Sequence, residues 1–156
     1  MNQFAGFYRI FSVIDGDSII VEHTISKQLA EVRFYGIDAP EIKKCNKLLQ
    51  DERETHMAGG LLMHLGKLSA EYLRKVCPDE TKISIEQEAI NSTDVYGRML
   101  AYVYLHDGTC INEIMIREGY AKPFSKYFCK DLKKYQQLNT FARTGKKGLY
   151  KLVKNF

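Results

Sequence analysis

Residues 32–41, Val32-Arg33-Phe34-Tyr35-Gly36-Ile37-Asp38-Ala39-Pro40-Glu41, constrain this chain more than any other stretch. Val32, Phe34 and Gly36 alternate with Arg33, Tyr35 and Ile37, the period of an extended strand. Pro40 biases Ala39 away from helical backbone and ends the regular run. The strand therefore carries an arginine, and two carboxylates, Asp38 and Glu41, stand where it breaks. A second acidic pair, Asp15-Gly16-Asp17, lies between the apolar runs Val13-Ile14 and Ile19-Ile20-Val21. Should the two corners meet, four carboxylates face at least one arginine, which is a metal site beside a phosphate clamp. Each corner alone has a plainer reading: Asp-Gly is a hairpin turn, and Asp-Ala-Pro-Glu is a solvated loop. A third segment, residues 94–104, places Arg98 at the head of another strand. That addition weighs against the two plain readings holding together.

The remaining pattern sets an element order. Residues 7–14 alternate as a first strand, Asp15-Gly16-Asp17 turns the chain, and residues 18–23 form a second strand rich in β-branched residues. Residues 30–37 are the third, so the chain opens as a β-meander. Residues 42–56 are polar and charged and read as a long loop beside the acidic corner. Leu61, Leu65, Leu68, Tyr72, Leu73 and Val76 then recur at helical period until Pro78, with Gly59-Gly60 weakening the start. Strands are expected at 82–88 and 98–105, and a short helix at 111–118 closed by Gly119. A last helix is expected over about 131–143, with Leu132, Tyr135, Leu138 and Ala142 on one face. Five strands with a helix between the third and fourth have the order of an OB barrel. The expected class is α+β: a five-stranded OB-fold β-barrel with about three α-helices, in one domain spanning 1–156.

Charge and cysteine usage narrow the partners. The net charge is +4, yet residues 117–156 hold eleven Lys/Arg against two Asp/Glu. A basic end beside an acidic front suits a polyanionic partner, and a solvated lysine-rich helix face explains the charge equally well. Cys45, Cys77, Cys110 and Cys129 are scattered, with no C-x-x-C and no zinc spacing, and are expected as reduced thiols. His56 and His64 show no H-E-x-x-H pattern and read as ordinary surface or core histidines. The first nine residues are too short and polar for a signal peptide. A cytoplasmic location is favoured, with secretion open if a leader has been removed, and no membrane association is expected.

Three separated motifs resemble the staphylococcal nuclease (thermonuclease-like) family. They are Val13-Ile14-Asp15-Gly16-Asp17-Ser18, Arg33 through Asp38-Ala39-Pro40-Glu41, and Asp94 to Tyr104. The segment 111–122 is also similar, and the likeness runs from about Phe7 to Leu149. The resemblance implies an OB barrel with three helices and calcium-dependent hydrolysis of DNA or RNA. It implies Asp17 and Asp38 as carboxylate ligands of calcium, the backbone carbonyl of Ala39 as a third, and Asp15 in the outer shell. Glu41 would position or deprotonate the attacking water, and Arg33 and Arg98 would grip the scissile phosphate. Tyr96 would hydrogen-bond near the terminal phosphate, and Tyr127 would line the nucleotide pocket. A monomer is expected.

The chemistry accounts for these residue types. Calcium takes oxygen ligands in loose geometry, and guanidinium forks match phosphate oxygens. Water is a weak nucleophile that a carboxylate in reach can activate. If Lys126, Lys130, Lys133 and Lys134 contact backbone phosphates, binding weakens steeply with salt; an unchanged slope would mean that they solvate a helix face. The departures from the family are Ser125, where a second pocket tyrosine would stand, Tyr150 in place of a tail tryptophan, and an unmatched loop at 42–56. The alternative is a non-catalytic nucleic-acid- or protein-binding module on the same fold, which has no need for Asp17, Asp38, Glu41, Arg33 and Arg98 together.

Overall fold

The computed structural model describes residues 2–156; Met1, counted in the expected domain, lies outside them. The elements run β1 (Gln3–Asp15), β2 (Ser18–His23), β3 (Leu29–Phe34), β4 (Ile37–Asp38), α1 (Asn46–Thr55), α2 (Gly59–Val76) and β5 (Lys82–Gln87). Then come β6 (Met99–Leu105), α3 (Ile111–Arg117), β7 (Lys122–Pro123), α4 (Leu132–Thr144) and a final 3-10 turn, Gly148–Lys151. Five strands close a barrel in the order β1-β2-β3-β6-β5. Its pairs are antiparallel except β3 with β6, where Val32 faces Met99. The long β1 closes the barrel by pairing with both neighbours: Tyr8 lies opposite His23 on β2 and Ile83 on β5. A register shift between Ala5 and Tyr8 bends it there.

Alternation explains the core. Ile10, Ile19, Val21, Val32, Ile85 and Val103 turn inward and are fully buried. Burial of each such side chain favours folding by about 1.5–3 kcal/mol. Helix α2 lies over the barrel, with Leu62, Leu65 and Leu73 buried. Leu61 is left exposed, so the apolar face is phased on Leu62 and not on Leu61 as the spacing suggested.

One buried side chain ties the parallel seam together. Asn112, on α3, accepts from the Val103 N–H at 3.0 Å and donates to the carbonyls of Tyr35 and Ala101, each at 3.1 Å. The Ala101 carbonyl also accepts from the Tyr35 N–H at 3.0 Å, so Asn112 adds to the pairing where β3 leaves the barrel.

Two expectations change. The third strand stops at Phe34, Tyr35-Gly36 turn the chain, and Ile37–Asp38 pair with Lys122–Pro123 as a separate ladder. Most of the expected loop at 42–56 is the helix α1, so the described residues form four α-helices in place of about three. Only Leu48 and Asp51 of α1 are buried, which leaves almost no apolar stripe to read. Its N-terminus is capped by the Cys45 thiol, which accepts from the Leu48 N–H at 3.4 Å. Cysteine is not among the usual capping residues.

Candidate active site

The two acidic corners meet because α2 offers both a face of small residues. A Cβ on Gly16 would stand 2.8 Å from the Ala39 Cβ and would overlap Ser69. A Cβ on Gly66 would stand 2.6 Å from the carbonyl oxygens of Pro40 and Glu41. Backbone therefore rests directly on helix at both points. Asp15 shapes its own turn, its Oδ1 accepting from the Asp17 N–H at 3.1 Å and the Ser18 hydroxyl at 2.7 Å.

Arg33 joins the corners. Its Nη1 lies 2.8 Å from Asp17 Oδ2, and its Nη2 lies 3.3 Å from Asp38 Oδ1. Asp17 Oδ2 also accepts from the Ala39 N–H at 2.8 Å. All three side chains are buried, and the Arg33 guanidinium lies 5.6 Å from the centre of the Phe124 ring. The β4–β7 ladder sets Lys122 opposite Asp38.

A residue that the sequence reading passed over stands at the centre. Lys47, in the first turn of α1, points its Nζ at Asp38 Oδ1 (3.1 Å), Glu41 Oε1 (3.2 Å), Asp51 Oδ2 (3.2 Å) and the Ala39 carbonyl (3.4 Å). Asp51 was equally unforeseen. The one sequence signal for either is their own spacing of four, which pairs opposite charges on a helix face.

Burial dominates the electrostatics. It pushes the Asp17 carboxyl up to about 7 against the pull of Arg33. Burial, and then the Asp17 charge, raises Asp38. Burial raises Glu41 as well, with Lys47 opposing. For Lys47 burial works downward, but Asp38, Glu41 and Asp51 outweigh it and hold the ammonium above its ordinary range. The site is an acid cluster short of positive charge.

Arg98 approaches from the other wall. Its Nε donates to Asp94 Oδ2 at 2.7 Å, and Asp94 Oδ1 accepts from the N–H groups of Tyr96 (3.0 Å) and Arg98 (2.9 Å). Asp94 thus builds the turn and aims the arginine, a role that its place outside the strand concealed. Asp15, Asp17, Arg33, Asp38, Glu41, Arg98, Tyr96 and Tyr127 all line one cleft of ≈ 580 Å³, beside the Ala39 carbonyl. Tyr96 is largely exposed there. Phe124 and Lys126 line it too, and Ser125 is exposed and outside its lining. Of the four lysines weighed for phosphate contact, Lys130 is held by Glu86 at 2.6 Å and Lys134 by Glu113 at 2.8 Å. Lys126 is the one of the four that lines the cleft.

The donors suit a hard cation. Asp17, Asp38 and the Ala39 carbonyl offer oxygen alone, the ligand type that calcium takes, and a cation, the Lys47 ammonium, already sits among them. No cluster of three or more His, Cys, Asp or Glu in metal-holding arrangement occurs among the described residues. Among them, too, no helix is long and apolar enough to cross a membrane.

A family model described as "Staphylococcal nuclease homologue" matches residues 31–152. The chain belongs to this family. Among its relatives, the "SPbeta prophage-derived endonuclease YokF" of Bacillus subtilis (strain 168) is 32% identical over 143 residues, 85% of this chain and 43% of that protein. The "Thermonuclease" of Staphylococcus hyicus is 29% identical over 140 residues, 90% of this chain and 71% of that protein. "Endonuclease YhcR" of Bacillus subtilis (strain 168) is 27% identical over 135 residues, which make up only 10% of its length. The chain thus spans a small part of YhcR and less than half of YokF, but most of the thermonuclease. Membership of the staphylococcal nuclease homologue family agrees with the closed five-stranded barrel.

Proposed function

We propose that this chain is a calcium-dependent nuclease that hydrolyses phosphodiester bonds of DNA or RNA, acting as a monomer. The observation that carries the reading is the convergence of Asp17, Asp38, Glu41, Arg33 and Arg98 on one cleft from distant points of the sequence. The naming of relatives as endonucleases and thermonuclease supports it.

Asp17, Asp38 and the Ala39 carbonyl would hold the calcium, with Asp15 ordering water outside them. Calcium bound there would act as a Lewis acid on a phosphoryl oxygen. Arg33 and Arg98 approach the cleft from two walls and donate to the phosphate oxygens, where negative charge grows as phosphorus becomes five-coordinate. Glu41 takes a proton from the attacking water, so that its oxygen bonds to phosphorus as the phosphorus–oxygen bond of the leaving strand breaks. Burial raises the basicity of Glu41 and favours it as proton acceptor. Tyr96 donates to the terminal phosphate. Tyr127 lines the nucleotide pocket, and Phe124 adds an aromatic face on that side.

The test is incubation with single-stranded DNA, duplex DNA and RNA, each with calcium, magnesium or chelator. Cleavage is expected with calcium, weakly with magnesium, which demands a stricter and smaller octahedron, and not in chelator. Full cleavage in chelator overturns the metal role, and intact substrates under every condition overturn the nuclease reading.

A further inference from the structure

The Lys47 ammonium has three N–H donors and faces four oxygens at 3.1 to 3.4 Å. None of these contacts is short. Lysine ion pairs elsewhere run from 2.6 Å for Lys130 with Glu86 to 3.7 Å for Lys147 with Glu118, each on a single carboxylate. What sets Lys47 apart is that three carboxylates and a carbonyl share its one ammonium. Two of those oxygens, on Asp38 and Ala39, belong to the set assigned above to the metal. A third belongs to Glu41.

Position and exit are both provided. Helix α1 is fixed by the Cys45 cap and by Leu48, which is buried and lies against Gly59 of α2. The Lys47 side chain is about a third exposed and lines the open cleft. Asp51, one turn on, pairs with it at 3.2 Å and lies on the same helix. The ammonium can thus leave Asp38 and Glu41 while its charge stays beside Asp51.

We propose that Lys47 is a tethered cation that holds the metal position in the metal-free protein and leaves it when a divalent ion binds. Entry of the ion then also releases Glu41 from its ion pair, so one exchange prepares both the metal site and the carboxylate that acts on water. This rests on the metal-dependent reading given above. It also makes Lys47 a brake on metal affinity, since the ion binds only to the fraction of molecules in which the ammonium has withdrawn.

The experiment is calorimetric titration of calcium into the wild-type chain and Lys47→Met, without substrate. Removal of the competing ammonium is expected to tighten calcium binding by about tenfold or more, the factor set by a withdrawn fraction of about a tenth or less. Equal or weaker binding by the variant overturns the exchange and leaves the metal reading standing. Absence of calcium binding in both proteins overturns both. Should circular dichroism show Lys47→Met unfolded, the wild type decides by amine-reactive labelling read by mass spectrometry. Calcium is expected to raise the labelling of Lys47 several-fold and leave that of Lys130 unchanged. Lys47 labelling that stays constant while calcium binds overturns the exchange.

Discussion

Gly66 of α2 lies so close to Glu41 that a Cβ at position 66 would stand 2.6 Å from the Glu41 carbonyl oxygen. The helix thereby sets the height of the strand-end corner above the cleft. Gly66→Ala should push that corner outward. Overpacking of this kind costs about 1–3 kcal/mol, partly offset by about 1 kcal/mol from the better helix propensity of alanine. A misplacement of about 1 Å at a reacting group can lower turnover by about 10²-fold, so activity should fall far more than stability. Gly60→Ala, on the same helix with open space around it, should keep both. Thermal melts and turnover rates of the two variants check this.

Asp94 and Arg98 form a second such pair. Asp94→Asn keeps a side-chain oxygen for the turn but removes the charge that holds Arg98 Nε at 2.7 Å. Turnover should drop about tenfold, equivalent to about 1.4 kcal/mol, and the melting temperature at neutral pH should fall, because the ionised Asp94 contributes to stability. Asp94→Ala also strips the acceptor from the Tyr96 and Arg98 N–H groups. It should destabilise by about 1–3 kcal/mol. Equal turnover in wild type and Asp94→Asn would remove the positioning role.

Much of this site was legible because its chemistry sits in short contiguous motifs. Asp17, Asp38, Glu41 and Arg33 lie at strand ends that period-two alternation locates, and the carboxylates meet only because Gly16 and Gly66 let backbone approach α2. The barrel order followed from the same alternation. What stayed hidden was α1. With Leu48 its only buried apolar residue and a thiol for a cap, it carries no helical stripe, so neither Lys47 nor Asp51 could be placed. The ion pairs of the basic end were hidden for a different reason. Glu86 and Glu113, which hold Lys130 and Lys134, lie 44 and 21 residues away in sequence, beyond any local pattern.

Metal-free stability should depend on pH in a direction set by these buried acids. Asp17 holds its proton up to about 7 in the folded protein, against 3.8 for an ordinary Asp. Between those values the folded state binds more protons than the unfolded chain, so stability falls as pH rises, by up to about 1.4 kcal/mol per pH unit for one proton. Asp38 and Glu41, also raised, act in the same sense. Asp94 and Glu86 are lowered, so their contribution is kept above the ordinary carboxylate range and lost only as pH falls below it. In chelator the protein should melt at a higher temperature at pH 5 than at pH 7.5. The reverse order would mean that the cluster is ionised in the folded state.

The central claim is that Glu41 acts on water beside a metal held by Asp17 and Asp38. Glu41→Gln keeps the shape and removes the basicity, while both ligands and both arginines remain. The decisive measurement is its single-turnover cleavage rate at saturating calcium, with affinity for a non-cleavable nucleotide measured alongside. The account predicts binding close to wild type and a rate lower by about 10²- to 10⁴-fold, the usual share of general base catalysis. A rate within about tenfold of wild type, when general base catalysis is worth at least about 10²-fold, would contradict it.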